Sequence, residues 1–209
     1  MRGASWVARF IIALPLAAWP SAVVAEGPGD PARGRAIFET KACSRCHLPQ
    51  RQGAGPRLEE IQRPQGALEL TGRLWNHAPS MFTLLQLEQR DWPEIGVGEM
   101  ADLMAYLQAT PARDPSPDLS QGQALLVKKE CLKCHRFRGE GGSVGIELTK
   151  YPGYHSPVIW AASVWNHSPK MSALSPRTGL FYPRFTSGEM VNLFGFLKGA
   201  ATSPEKRRP

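Results

Sequence analysis

The sequence predicts an all-α protein made of two tandem helical domains, on three observations. Segments of the first half recur 88 or 90 positions later. Each copy ends in a stretch whose apolar residues fall at helix spacing. Each copy also holds one Cys-x-x-Cys-His pentapeptide, Cys43 to His47 and Cys131 to His135.

Gly34-Arg35-Ala36-Ile37-Phe38 matches Gly122-Gln123-Ala124-Leu125-Leu126 at a shift of 88, as do the two pentapeptides. Trp75-Asn76-His77-Ala78-Pro79-Ser80-Met81 matches Trp165-Asn166-His167-Ser168-Pro169-Lys170-Met171 at a shift of 90, and Gly98-Glu99-Met100 matches Gly188-Glu189-Met190. Leu103 and Tyr106 pair with Leu193 and Phe196 in the same way, so two extra residues fall between His135 and Gly145. Repeats this long are domains, not solenoid units.

Residues 1–25 read as a secretory signal. Arg2 and Arg9 flank its start, an apolar run spans Phe10 to Trp19, and Val23-Val24-Ala25 ends it, with cleavage expected after Ala25. The alternative is an uncleaved anchor, but Arg9, Pro15 and Pro20 keep the run short of the roughly 20 apolar residues a spanning helix needs. Export places the protein in the periplasm. The first domain covers 26–113, opening with a helix over 31–42 and closing with one over Glu99 to Gln108, where Met100, Leu103, Met104 and Leu107 form the stripe. Thr110 to Pro117 carries three prolines in seven residues, an extended spacer that no helix crosses. The second domain covers 114–200 and closes with a helix over Glu189 to Lys198, striped by Met190, Leu193, Phe194 and Leu197 and capped by Ser187. The Gly- and Pro-rich segments between these helices read as loops. Residues 201–209, with Lys206-Arg207-Arg208, read as a basic, disordered tail.

In each pentapeptide two thiols can form thioethers to the vinyl groups of a haem, and the adjacent histidine is placed to ligate its iron. That is c-type haem attachment, and it implies two covalently bound haem c groups. Two disulfides are an alternative in an oxidising compartment, but they require no histidine after each second cysteine. A zinc ribbon needs its cysteine pairs about 15–20 residues apart, whereas these start 88 apart. A bound porphyrin would also give each short domain apolar bulk to pack against.

With those residues in view, the chain resembles the class I cytochrome c family, specifically soluble dihaem members with two cytochrome domains in tandem, from Gly34 to Leu197. The resemblance implies that Gly34 and Phe38 cross the closing helix near Leu103 and Tyr106. Gly122, Leu126, Leu193 and Phe196 would do so in the second domain, with one aromatic replaced by an aliphatic. It implies that the carbonyl of Pro56 orients His47. The aligned residue in the second domain is Ile146, which keeps the carbonyl and loses the proline.

His47 and His135 are the proximal ligands. The resemblance implies Met81 and Met171, which lie 34 and 36 residues later in a Pro-containing loop, as distal ligands. His77 and His167, four residues earlier, are rivals, since imidazole is also a good iron ligand. Met100 and Met190 are a third pair, on a helical stripe where methionine ordinarily packs a core. Trp75 and Trp165 are expected to bind the cofactor by covering a haem face, each indole N–H seeking an acceptor such as a propionate. Asn76 and Asn166 are expected to pin the loop backbone, and His155, unmatched in the first repeat, reads as a surface residue.

An iron filled on both sides has no position for substrate, so the expectation is an electron carrier and not an enzyme. One alternative is a haem subunit of a larger periplasmic complex, serving a membrane-bound oxidase or dehydrogenase. The other is a small dihaem peroxidase or reductase with a displaceable distal ligand. From Asp118 onward 13 basic side chains face 6 acidic ones, whereas Glu26 to Pro117 carry 10 basic and 12 acidic. Lys128, Lys129, Lys133, Arg136 and Arg138 gather around the second pentapeptide. A basic ring there would steer an acidic protein redox partner. No nucleic-acid-binding motif accompanies these charges.

Overall fold

Asp30 starts the first helix. Its carboxylate accepts from the backbone N–H of Ala32 at 2.7 Å, and Pro31 occupies the first turn, where its missing N–H costs nothing. The computed structural model describes residues 28–48, 54–186 and 188–203. The signal segment, the cap expected at Ser187 and the tail around Lys206 lie outside these residues.

The described chain is mostly helical. Its α-helices are α1 (Pro31–Thr40), α2 (Leu58–Ile61), α3 (Ala67–Leu87), α4 (Val97–Tyr106), α5 (Leu119–Lys128), α6 (Pro157–Leu174) and α7 (Glu189–Thr202). Two short parallel strands, Gln65–Gly66 and Ala109–Thr110, tie the ends of the first half together. An antiparallel hairpin, Arg136–Phe137 with Glu140–Gly141, fills the place where the second repeat is longer. Its turn runs through Arg138 and Gly139, both in the left-handed region (φ 52 and 80). Among the described residues no helix is long and apolar enough to cross a membrane.

The helices expected at the ends of each repeat are present. α1 packs on α4 and α5 on α7. A Cβ on Gly34 would stand 2.0 Å from the carbonyl oxygen of Asp102 and 2.7 Å from Tyr106 Cβ. On Gly122 it would stand 2.1 Å from that of Asn192 and 2.7 Å from Phe196 Cβ. Only glycine allows this approach, and it lets Phe38 reach Tyr106 with ring centroids 5.6 Å apart. The helix over 189–202 starts after Gly188 in the left-handed region (φ 83), and Glu189 accepts from the Thr186 N–H at 2.8 Å.

The segments expected to be loops are the correction. Residues 67–87 and 157–174 form α3 and α6, the two longest helices, each with a proline inside (Pro79, Pro169). α6 is capped by Ser156, whose hydroxyl accepts from Val158 and Ile159 N–H, with Pro157 in the first turn. α3 is capped from a distance: Asp114, in the spacer, accepts from the Leu68 N–H at 2.9 Å. No α-helix crosses the spacer; Pro111–Arg113 make one 3-10 turn and Asp114 is extended.

α3 and α6 pack on each other, their buried contacts including Ala67, Thr71, Ala161 and Ala162. Each helix also completes the other half's core. Leu68 and Trp75 of α3 are buried with Leu125, Leu193, Phe194 and Leu197. Ala161, Ala162 and Trp165 of α6 are buried with Phe38, Leu70, Met100 and Leu103.

Candidate functional site

Each pentapeptide is one 3-10 turn, Cys43–Arg45 and Cys131–Lys133, entered through a left-handed residue (Ala42 φ 62, Glu130 φ 57). The turn brings both cysteines and the histidine to one cleft. No disulfide joins the four cysteines, and burial pushes the Cys43 and Cys131 thiols up to about 11.

His47 and His135 are buried. Each Nδ1–H donates to a backbone carbonyl, His47 to Pro56 at 2.9 Å and His135 to Ile146 at 3.1 Å. A carbonyl only accepts, so this fixes the tautomer and leaves Nε2 as the free ligating nitrogen. Gly55 and Gly145 press against the rings: a Cβ there would come within 2.6 Å of His47 Cε1 and 2.4 Å of His135 Cε1. The loss of proline at 146 leaves the orienting bond in place.

Opposite each proximal histidine stands a second imidazole. His77 on α3 faces His47 with ring centroids 5.7 Å apart, and His167 on α6 faces His135 at 6.1 Å. Desolvation, then His47 and Arg184, holds His77 below the usual imidazole value. Desolvation, then His135 and Lys170, does the same at His167, which is exposed at the edge of a cavity in the second half that it helps to line. Met81 and Met171 sit one helical turn further on, in the same clefts, half-buried against the cores.

The second half encloses a cavity of about 320 Å³, walled by Leu126, Leu148, Tyr154, Trp160 and Val164 and opening onto Cys131, Cys134 and His135. Described residues of the first half line a cleft of about 50 Å³ with Cys43, Cys46, His47, His77 and Met81. Each cleft thus combines paired cysteines, a tautomer-fixed imidazole backed by glycine, and a largely apolar wall.

The tryptophans reach across the halves. Trp75 lines the second half's cavity, not the cleft of its own half. Its indole N–H donates to Pro183 O at 2.5 Å, and that of Trp165 donates to Pro93 O at 2.7 Å. Each acceptor is a backbone carbonyl of the opposite half, not a propionate. Trp75 stacks on Tyr182 and Trp165 on Trp92. Asn76 and Asn166 do pin backbone, again across the halves. Asn76 makes both bonds to Phe185 (2.6 and 2.8 Å), and Asn166 makes both to Ile95 (2.9 and 3.0 Å). Sequence reasoning missed the partners of these residues, Trp92-Pro93-Glu94-Ile95 and Tyr182-Pro183-Arg184-Phe185. They are themselves matched at a shift of 90, which is the signal that could have found them.

Met100 is fully buried among Leu103, Met104 and Leu107, and the sulfur of Met190 accepts the Trp160 indole N–H at 3.4 Å. His155 is exposed and bonds its own turn at Pro152. In the basic cluster, Lys129 is inward and paired with Glu189 at 2.8 Å, and Lys133 pairs with Glu130 at 2.6 Å. Lys128, Lys133, Arg136 and Arg138 are exposed. No protein-family model, curated protein or solved structure matches the chain.

Proposed function

We propose that the protein is a periplasmic dihaem c-type cytochrome that carries single electrons between redox partners. One observation supports this most: each pentapeptide presents two cysteines in one cleft with an imidazole whose Nδ1–H is tied to a carbonyl, which leaves Nε2 free to ligate. Cys43 and Cys46 would hold one haem and Cys131 and Cys134 the other, with His47 and His135 as iron ligands. When bound, a haem with both axial positions filled supplies reversible one-electron transfer.

The chain's own residues set the conditions of that transfer. The carbonyls of Pro56 and Ile146 hold the imidazoles in one tautomer and one orientation, so no proton has to move with the electron at those rings. The apolar walls of the second site would lower the local dielectric around a bound haem and so tune its potential. The exposed basic side chains Lys128, Lys133, Arg136 and Arg138 would guide an acidic partner protein toward it. Whether that partner is free or a membrane-bound oxidase or dehydrogenase is a question for co-purification.

The test is the exported full-length protein. A mass increase equal to two haems, lost in part when Cys131 and Cys134 are changed to Ser, together with two reversible one-electron steps in a redox titration, is the expected result. Colourless protein of unmodified mass would refute the proposal.

A further inference from the structure

Helix geometry chooses between side chains that the sequence leaves as rivals. His77 and Met81 are four residues apart on α3, so they share a face with about one 5.4 Å turn between them. His167 and Met171 stand in the same relation on α6. One iron position opposite the proximal ring can be met by one of them only.

In both halves an imidazole lies at a distance from the proximal ring that suits a shared metal. The centroid separations are 5.7 Å for His47 and His77 and 6.1 Å for His135 and His167, with ring planes inclined at 60° and 67°. Two imidazoles bound to one metal from opposite sides, with metal–nitrogen bonds of about 2 Å, place their ring centroids about 6 Å apart. Both pairs meet that requirement, although one lies in a cleft of about 50 Å³ and the other in a cavity of about 320 Å³. Among the described residues no cluster of three or more His, Cys, Asp or Glu forms a metal cage. A facing pair of this kind suits a metal whose other positions are filled by a macrocycle. The methionines line the same clefts and also pack against the hydrophobic cores.

We infer that His77 and His167, not Met81 and Met171, are the distal ligands, so that each iron is held between two imidazoles. The inference rests on the haem reading above. Two nitrogen ligands set a lower reduction potential than a histidine–methionine pair.

The experiment uses exported full-length holoprotein whose mass confirms two haems; protein without them overturns the underlying reading as well. Near-infrared absorption and electron paramagnetic resonance of the ferric form are then recorded for the native protein and for Met81→Leu, Met171→Leu, His77→Met and His167→Met. The expected native spectrum lacks a thioether-to-iron charge-transfer band. Both leucine variants keep the native spectra and potentials, and each histidine variant shifts the potential of its haem upward or lets that haem take up cyanide rapidly. A charge-transfer band in the native two-haem protein that disappears in Met81→Leu or Met171→Leu would overturn the inference and leave the haem reading standing.

Discussion

Tyr182 donates its hydroxyl proton to the carbonyl oxygen of Trp75 at 3.2 Å. Pro79, four residues on, has no N–H to offer that carbonyl, so a phenol from the other half takes the place of a helix hydrogen bond. Tyr182→Phe keeps the stacked rings, 4.8 Å between centroids, and removes the donor. The expected loss is about 1 kcal/mol of stability, read from urea midpoints. Trp92 stands at the matched position over Trp165, and its buried indole N–H has no partner among the described residues. Trp92→Phe should therefore cost less than the lost ring area alone implies.

The helix crossings are the least tolerant places in each half. Gly34→Ala and Gly122→Ala would set a methyl 2.0 and 2.1 Å from a backbone oxygen of the facing helix. Backbone cannot yield as a flexible side chain does, so each change should cost at least about 1–3 kcal/mol. Thermal unfolding of either variant at the native temperature would contradict this.

Gly145→Ala acts on chemistry more than on packing. The new Cβ would lie 2.4 Å from His135 Nδ1 and force the ring away from Ile146 O. The expected result is a ring N–H that exchanges quickly with water in proton NMR, where the native one is protected. An unchanged, protected signal would show that the loop can move instead.

Part of the acid sensitivity should reside at Asp102 in the first half. Hydrogen bonds from Arg33 hold Asp102 below the usual aspartate range; desolvation works against them and the Asp30 N–H adds to them. A carboxylate lowered on folding stabilises fully above its unfolded value of about 3.9 and loses that contribution as pH falls through the folded value. Asn192 holds the matched position, accepts from the Asp118 N–H at 2.8 Å and cannot titrate. Asp102→Asn should thus flatten the fall in urea midpoint on acidification. Parallel curves for native and variant protein would count against the assignment.

Local patterning made α4 and α7 readable, because their stripes of Met, Leu and Phe state the helix period outright, and α1 readable through small and apolar positions at helix spacing. It also gave the pentapeptides, whereas the carbonyls of Pro56 and Ile146 were expected only from the resemblance. α3 and α6 were hidden because Gly72, Pro79 and Pro169 are ordinarily breakers. Their cost is offset by contacts from far along the chain, such as Tyr182 on Trp75 and Met190 Cβ at 3.3 Å from the Cβ position of Gly72. The repeat itself was legible, yet sequence similarity between halves does not say that Asn76 bonds residue 185 in place of residue 95. That choice depends on how α3 and α6 pack, which no window of either half contains.

The exchange of tryptophans also sets an order of assembly. Trp75 meets its acceptor 108 positions downstream, so a polypeptide emerging N-terminus first must wait for nearly all of itself before that latch shuts. Closure at such sequence separation is slow, and a waiting chain keeps an unburied indole in view of proteases and other unfinished copies. Truncation near the C-terminus should accordingly harm the earliest-made half as much as the latest.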